Sequence, residues 1–331
     1  MEPQDSPIVP GAAIGRFLVT KKLGEGTFSR VYLARDPRLS DTPSAWVAVK
    51  VPRSQLFRDA EMQLRLLREL QIVSRLRSDP GICRFIETGM AFGTLFFAYE
   101  YVAGETLQEW MIRHPQRSLG VVLNLVRDVA RSMARVHDQA VVHRDLKPAN
   151  IMLRQSELGR VPSGLQPVIL DFGLARGDRQ RELQLTVTGQ RLGTPAYFSP
   201  EVARGETVRA RNGTDIYSLG AILYELLVGQ PPFEGHGVQL IEQIEHAPVV
   251  APSHRDPRLH PDLDACCLQA LAKDPADRFE ESMHRFAAEI DQLLNASIPL
   301  DLNVPASPNQ PSHTSTSGAS TADFRPLDPL P

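Results

Sequence analysis

The chain has 331 residues, 42% of them hydrophobic and 23% charged, with a formal net charge of −3. That is enough core for two packed lobes or one large domain, and the faintly acidic balance gives no electrostatic case for nucleic acid. The three cysteines, Cys83, Cys266 and Cys267, show no zinc spacing and fit a reducing, cytoplasmic setting. The most apolar window, Ile216 to Val228, is too short to span a bilayer and is interrupted by Glu225.

Residues 1–14 read as a disordered lead-in, Pro-rich and without the apolar run of a signal peptide. Arg16 to Leu23 then alternates into Gly24-Glu25-Gly26-Thr27-Phe28-Ser29-Arg30-Val31, a strand, glycine turn and strand. Glycines let backbone N–H groups approach phosphate oxygens, although a lone Gly-x-Gly is by default a hairpin turn. Trp46 to Val51 is a β-branched strand with Ala48 and Lys50 on one face and Val47 and Val49 on the other. Leu56 to Leu76 repeats apolar residues at helical spacing, and Glu69 borders that stripe. Strands are expected at Ile82–Thr88 and Thr94–Val102, with a turn at Met90–Gly93. The pattern turns helical from Gly104, and Leu119–His137 is a strongly amphipathic helix.

That helix leads to His143-Arg144-Asp145-Leu146-Lys147-Pro148-Ala149-Asn150. Asp145 can take a proton from a hydroxyl, Lys147 can steady moving negative charge, and Asn150 can offer an amide oxygen to a hard cation. These are the requirements of phosphoryl transfer, in which a protein supplies mostly position and charge. A short strand, Asn150–Leu153, and a polar insertion, Gln155–Gln166, follow. A buried strand, Pro167–Leu170, runs into Asp171-Phe172-Gly173. A polar segment then closes through Gly193-Thr194-Pro195 and Ser199-Pro200-Glu201. Asp215–Val228 is an apolar helix stopped by Gly229 and Pro231-Pro232. Helices are expected at Asp262–Lys273 and Ser282–Leu294, and residues 296–331 form a disordered Pro/Ser/Thr-rich tail by composition.

Together these motifs resemble the protein kinase superfamily, and within it the bacterial eukaryotic-type (Hanks-type) serine/threonine kinases, from about Arg16 to Leu294. Ser29 stands where the family has a third glycine, and Ser199 where alanine is more familiar. The resemblance implies an α+β, two-lobed fold: an antiparallel β N-lobe with one main helix over residues 15–102, and a mostly helical C-lobe over 103–295. It implies that Leu23 to Val31 and Ala48 enclose ATP, and that Lys50, paired with Glu69, binds its α- and β-phosphates. Tyr99 would back the nucleotide pocket, the main chain of Glu100 and Val102 would meet the adenine, and Glu105 the ribose. Asn150 and Asp171 would hold magnesium, with manganese as the alternative. Asp145 would receive the acceptor proton, and Lys147 would contact the γ-phosphate. Lys147 together with Thr194 resembles the serine/threonine type, so the implied partners are proteins with Ser or Thr acceptors. Glu105 and Glu225 resemble acidic positions that recruit basic substrates in some kinases. Asp215 would hold the catalytic-loop backbone, and Arg278 would pair with Glu201. Thr186 and Thr188 are the candidates for regulatory phosphorylation near Arg144. No nucleic-acid partner and no membrane segment is implied, and a homodimer is compatible but not specified by any residue. The alternatives are a pseudokinase scaffold, which would lack one of Lys50, Asp145, Asn150 or Asp171, and a small-molecule kinase, which would lack the Ser-Pro-Glu closing segment.

Overall fold

The computed structural model describes residues 8–26, 29–39, 42–52, 79–155, 164–172, 195–206 and 211–305. The expected helix Leu56–Leu76 with Glu69 lies outside these residues, as do Thr27, Phe28, Gly173, Thr186, Thr188 and Thr194. The chain divides into two units, the second beginning with 79–82 and resuming at Gly104.

Alternation builds the first unit. Six antiparallel strands, β1 (Ala13–Ile14), β2 (Phe17–Glu25), β3 (Ser29–Arg35), β4 (Trp46–Pro52), β5 (Phe85–Ala91) and β6 (Thr94–Glu100), pair in the order β1-β2-β3-β4-β6-β5. Val47 and Val49 point into a core with Ile14, Phe17, Val19, Tyr32 and Phe96. Ala48 and Lys50 take the opposite, half-buried face, as period two requires. The β5–β6 turn is tighter than the sequence suggests. It consists of Phe92 and Gly93, both left-handed (φ 52° and 73°), the geometry that matches the twist of a two-residue hairpin. The strand expected from Ile82 starts only at Phe85, because Ile82 belongs elsewhere. It is buried and bridges Ile169 in parallel, while Ile169 N–H donates to the Gly81 carbonyl at 2.9 Å.

The second unit is helical around one buried helix. Its first helix begins at Leu107, not Gly104. Gly104 (φ 153°) passes so close to Leu153 that a Cβ would lie 2.1 Å from its carbonyl oxygen, and β7 (Glu105–Thr106) pairs there with β9 (Ile151–Gln155). Thr106 then caps α1 (Leu107–Arg113) in a reciprocal box: Glu109 N–H donates to Thr106 Oγ1 at 3.1 Å, and Thr106 N–H to Glu109 Oε2 at 2.8 Å. The strand β8 (Gln116–Ser118) leads into α2 (Leu119–His137), whose ends are those of the amphipathic pattern and whose stripe of Leu119, Leu123, Val126, Ala130 and Met133 is buried.

The strand expected at Pro167–Leu170 is β10 (Leu165–Ile169), which starts earlier because Leu165 pairs with Gln155. After α3 (Pro200–Ala203) comes α4 (Asn212–Val228), buried on nearly every side and ended by Gly229 in the left-handed C-cap conformation (φ 84°). The helices α5 (Gly237–His246) and α6 (Pro252–Arg255) had no counterpart in the sequence reading; α7 (Pro261–Ala270) and α8 (Met283–Asn295) did, with α7 ending three residues early. Among the described residues no helix is long and apolar enough to cross a membrane.

The expected tail boundary at 296 is corrected. Ile298 and Val304 are buried, and β11 (Asn303–Pro305) pairs with β8. The carbonyls of Leu302 and Leu300 accept the N–H groups of Leu119 and Gly120 at 2.8 Å, donors that a helix start would otherwise leave unmet. The second unit therefore includes at least ten residues assigned by composition to disorder.

The end of α2 carries strain. Ala140 is exposed and left-handed (φ 56°), a conformation that costs an L-residue about 1–2 kcal/mol and glycine almost nothing. Ala140→Gly is expected to raise stability by about 0.5–1 kcal/mol after the greater flexibility of glycine in the unfolded chain is deducted. Urea titration of the two proteins measures it, and an unchanged or lower midpoint would refute it.

Candidate active site

The second unit assembles the acidic loop from its backbone upward. Asp215, fully buried at the start of α4, accepts the N–H of His143 on Oδ2 and that of Arg144 on Oδ1, both at 2.8 Å. The Nε2–H of His137 reaches Oδ2 at 2.8 Å. Burial alone would push this carboxyl's pKa up; the His137 hydrogen bond and the nearby histidine and backbone donors outweigh it and hold it down. The ring of His143 is fixed as the Nε2–H tautomer, since Nε2 faces the Leu170 carbonyl at 2.7 Å and Nδ1 accepts Asp145 N–H at 3.2 Å. Arg144 is thereby held at φ 66°, a conformation that surrounding contacts must maintain.

On this base three predicted residues converge. Asn150 Nδ2 donates to the carbonyl and to Oδ2 of Asp145, both at 2.8 Å, and Lys147 Nζ lies 2.9 Å from the same Oδ2. The turn Pro148–Asn150 supplies the bend, with Asn150 N–H returning to the Lys147 carbonyl at 2.9 Å. All three side chains are partly or largely buried, so these charges act through a medium less screening than bulk water.

Asp171 is brought to the same place by the β9–β10 hairpin. Leu170 N–H donates to the Asn150 carbonyl at 2.9 Å, so Asn150 and the end of β10 are neighbours. Phe172 is 3% exposed and meets His143 edge-on with centroids 4.8 Å apart. Asp171 itself sits at φ 60°. With its amide nitrogen turned to Asp145, Asn150 has its amide oxygen left for a cation, and a carboxylate follows one residue beyond Leu170. That all-oxygen pair suits a hard divalent ion completed by water and phosphate oxygens. Among the described residues no group of three or more His, Cys, Asp and Glu side chains could hold a metal.

In the first unit, Leu23, Gly24 and Glu25 close β2 and Ser29, Arg30 and Val31 open β3, with Gly24 opposite Val31 and Glu25 opposite Arg30. Gly26 N–H donates to the Ser29 carbonyl at 2.8 Å. Ser29 has ordinary strand backbone, so the third glycine is not needed for positive φ. Glu25 receives Lys22 Nζ and Arg30 Nε, each at 2.9 Å, which draws its carboxyl down to about 2. Lys50 lies opposite Phe97 and Val31; Ala48 lies opposite Tyr99, whose ring packs on Phe85. Glu100 N–H is already engaged by the Arg84 carbonyl at 2.9 Å, and Val102 is buried.

Glu105 accepts Arg113 Nε at 2.8 Å. One acidic expectation is placed differently. Glu225 is not an open acidic patch. Tyr197 Oη donates to its Oε2 at 2.6 Å, and burial pushes its carboxyl up despite that bond and the charge of Arg117. The expected Arg278–Glu201 pair is present and fully enclosed, with Nη1 to Oε1 at 2.9 Å and Nη2 to Oε2 at 3.0 Å. Sequence reasoning missed His137 and Tyr197, whose roles depend on residues 78 and 28 positions away.

Comparison with known proteins gives these features a family. The family model described as "Protein kinase domain" matches residues 17–293. The serine/threonine-protein kinase PknB of Mycolicibacterium smegmatis is 38% identical over 270 residues, covering 80% of this chain and 41% of that protein. PknB of Mycobacterium tuberculosis is 35% identical over 327 residues, covering 97% of this chain and 50% of that protein. The chain thus spans about half the length, or less, of these curated relatives. A solved structure titled "PpkA-294 apo form" superposes with a TM-score of 0.65 at 23% identity, covering 86% of this chain and 99% of its own, a likeness of fold. Since the family match runs through both units, the chain belongs to the protein kinase family and has its two-lobed fold, an antiparallel β N-lobe followed by a mostly helical C-lobe.

Proposed function

We propose that this chain is an ATP-dependent serine/threonine protein kinase. The observation that carries the reading is the convergence of Lys147 Nζ and Asn150 Nδ2 on one oxygen of Asp145, at 2.9 and 2.8 Å, in a loop whose backbone is anchored by a buried carboxylate. Asp145 orients the acceptor hydroxyl and takes its proton as the oxygen bonds to the γ-phosphorus and the bond to the departing ADP breaks. Lys147, beside it, neutralises charge on the phosphoryl group in transit. Lys50 binds the α- and β-phosphates, and the backbone from Leu23 to Val31 lies over them. Asn150 and Asp171 would hold magnesium or manganese, which when bound would screen the phosphate charge.

The substrates in this reading are proteins with Ser or Thr acceptors, the chain's own Thr186 and Thr188 among them. Cys83, Cys266 and Cys267 are buried and unbridged, which supports a reducing cytoplasmic setting.

The test is transfer of labelled γ-phosphate from ATP and magnesium to the chain itself and to a generic basic protein. Wild type is expected to label serine and threonine, with Thr186 or Thr188 among the mapped sites. Asp145→Asn is expected to retain nucleotide binding and lose at least about 10²-fold in rate, the lower range for a positioned general base. Equal rates for the two proteins would remove Asp145 from the mechanism. Nucleotide binding without transfer by wild type, even after phosphate is installed on Thr186 and Thr188, would favour a scaffold.

A further inference from the structure

The end of β10 is held along both of its edges. On one, Leu170 N–H donates to the Asn150 carbonyl at 2.9 Å. On the other, Ile169 N–H donates to the Gly81 carbonyl, also at 2.9 Å, and Ile82 bridges Ile169 in parallel. The sheet order β10-β9-β7 gives that second edge no strand of its own, so the segment 79–82 takes the place of one. This segment is the piece of the second unit that precedes Gly104.

The segment is pinned to α2. Asp79 is a buried carboxylate whose Oδ1 accepts Gly81 N–H at 2.9 Å and the Ser132 hydroxyl at 3.3 Å, while Oδ2 accepts Arg135 Nε. Arg135 Nη2 also donates to Ser132 Oγ, at 3.1 Å. Asp79-Pro80-Gly81-Ile82 closes as a turn, with Ile82 N–H on the Asp79 carbonyl at 3.2 Å and proline at the second position, where its fixed φ is favourable. Gly81 is not left-handed. What excludes a side chain there is α2, because a Cβ would lie 2.1 Å from Ser132 Oγ and 3.1 Å from Ser132 Cβ. Asp79, Ser132 and Arg135 together fix the one carbonyl that Ile169 uses.

Strain lies just beyond. Asp171, two residues past Ile169, is left-handed at φ 60°, a conformation that persists only where its surroundings over-determine it. The Leu170–Asn150 bond and the packing of Phe172 on His143 supply one part of that support. The pinned Gly81 carbonyl supplies the other.

We propose that Asp79 is a positioning residue for Asp171, resting on the kinase reading above: by pinning Gly81 to α2 it fixes the end of β10, and with it the carboxylate that would hold the metal. Ser132 and Arg135 are its partners in that role.

The test compares wild type with Asp79→Ala. The first readout is amide hydrogen exchange without nucleotide or metal. Ile169 is expected to exchange about fivefold faster in the variant, the size of one net hydrogen bond, while Met152 and Leu153 in β9 keep their wild-type rates. The second is the magnesium concentration that gives half the maximal transfer rate. It is expected to rise about tenfold, as when a metal ligand loses its supporting contacts, with kcat at saturating magnesium and ATP KM each within about threefold. Arg135→Met, at an exposed position, is expected to shift both readouts in the same direction and carries the test should Asp79→Ala not fold. Gly81→Ala is expected to reproduce the Asp79→Ala result, and adding Ser132→Ala, which removes the oxygen in its way, to return part of the loss. A folded variant with either the Ile169 exchange or the magnesium requirement unchanged would overturn the proposal. So would a fall in kcat at saturating magnesium that Ser132→Ala does not relieve in Gly81→Ala, the mark of a general loss of structure. No transfer by wild type at any magnesium concentration would instead overturn the kinase reading, and this inference with it.

Discussion

Arg278→Met is expected to destabilise the second unit by about 3–5 kcal/mol, the usual consequence of removing one partner from a buried ion pair. The guanidinium is fully enclosed and each nitrogen is used. Nε donates to the Ala272 carbonyl at 2.6 Å, Nη1 to Glu201 and the Gly213 carbonyl at 2.9 and 3.0 Å, and Nη2 to Glu201 and the Lys273 carbonyl at 3.0 and 2.9 Å. Methionine fills the volume but leaves Glu201, among the described residues, with only Thr214 Oγ1, at 2.7 Å, as a side-chain donor. Burial pushes the Glu201 carboxyl up, and in the wild type the Arg278 bonds outweigh that and hold it low. The pair's stabilisation is thus present above the ordinary carboxylate range and lost as pH falls through the lowered value. In Arg278→Met the sign reverses: burial prevails, and the variant should recover stability, not lose it, as mild acid protonates Glu201. Urea unfolding followed by Trp110 fluorescence in a Trp46→Phe background isolates this unit, because those are the two tryptophans of the chain. A cost below about 1 kcal/mol would place the pair with exposed salt bridges and contradict the burial.

The sequence disclosed what depends on near neighbours. Period-two alternation placed Lys50 and Ala48 on the face opposite Val47 and Val49, and the 3.6-residue stripe set both ends of Leu119–His137. The acidic loop was legible because acid, lysine and amide fall within six residues. What it hid depends on distant partners. Glu225 looked like an available acid at the end of an apolar helix, yet a hydroxyl 28 residues upstream occupies it. The strand Asn303–Pro305 looked like tail because its composition is polar and Pro-rich, while its order derives from pairing with β8 and from one buried valine. Helix Gly237–His246 was legible in principle through Leu240 and Ile244 at i and i+4, but it starts without a side-chain cap to mark it.

Asp215→Ala is expected to separate placement of the acidic loop from nucleotide binding. The carboxylate is the common acceptor for two consecutive backbone donors and an imidazole, each at 2.8 Å. Alanine would leave those groups buried and unmet, and each buried donor left without a partner costs about 1–3 kcal/mol. The loop can escape part of that penalty only by moving, and Arg144, held at φ 66°, has a more comfortable backbone to relax toward. Such a move carries Asp145 with it, since Asp145 N–H is fixed to His143 at 3.2 Å. A displacement of about 1 Å in a reacting group can cost 10²-fold in rate. The expected result is therefore a fall of about 10²-fold in kcat, with ATP KM changed by less than about threefold, because the residues of the first unit proposed to bind nucleotide are untouched. Steady-state kinetics with a denaturation curve on the same sample make the comparison. A kcat retained within about threefold in a folded variant would mean that His143 and Arg144 find other acceptors, and that Asp145 is positioned by its own contacts with Lys147 and Asn150.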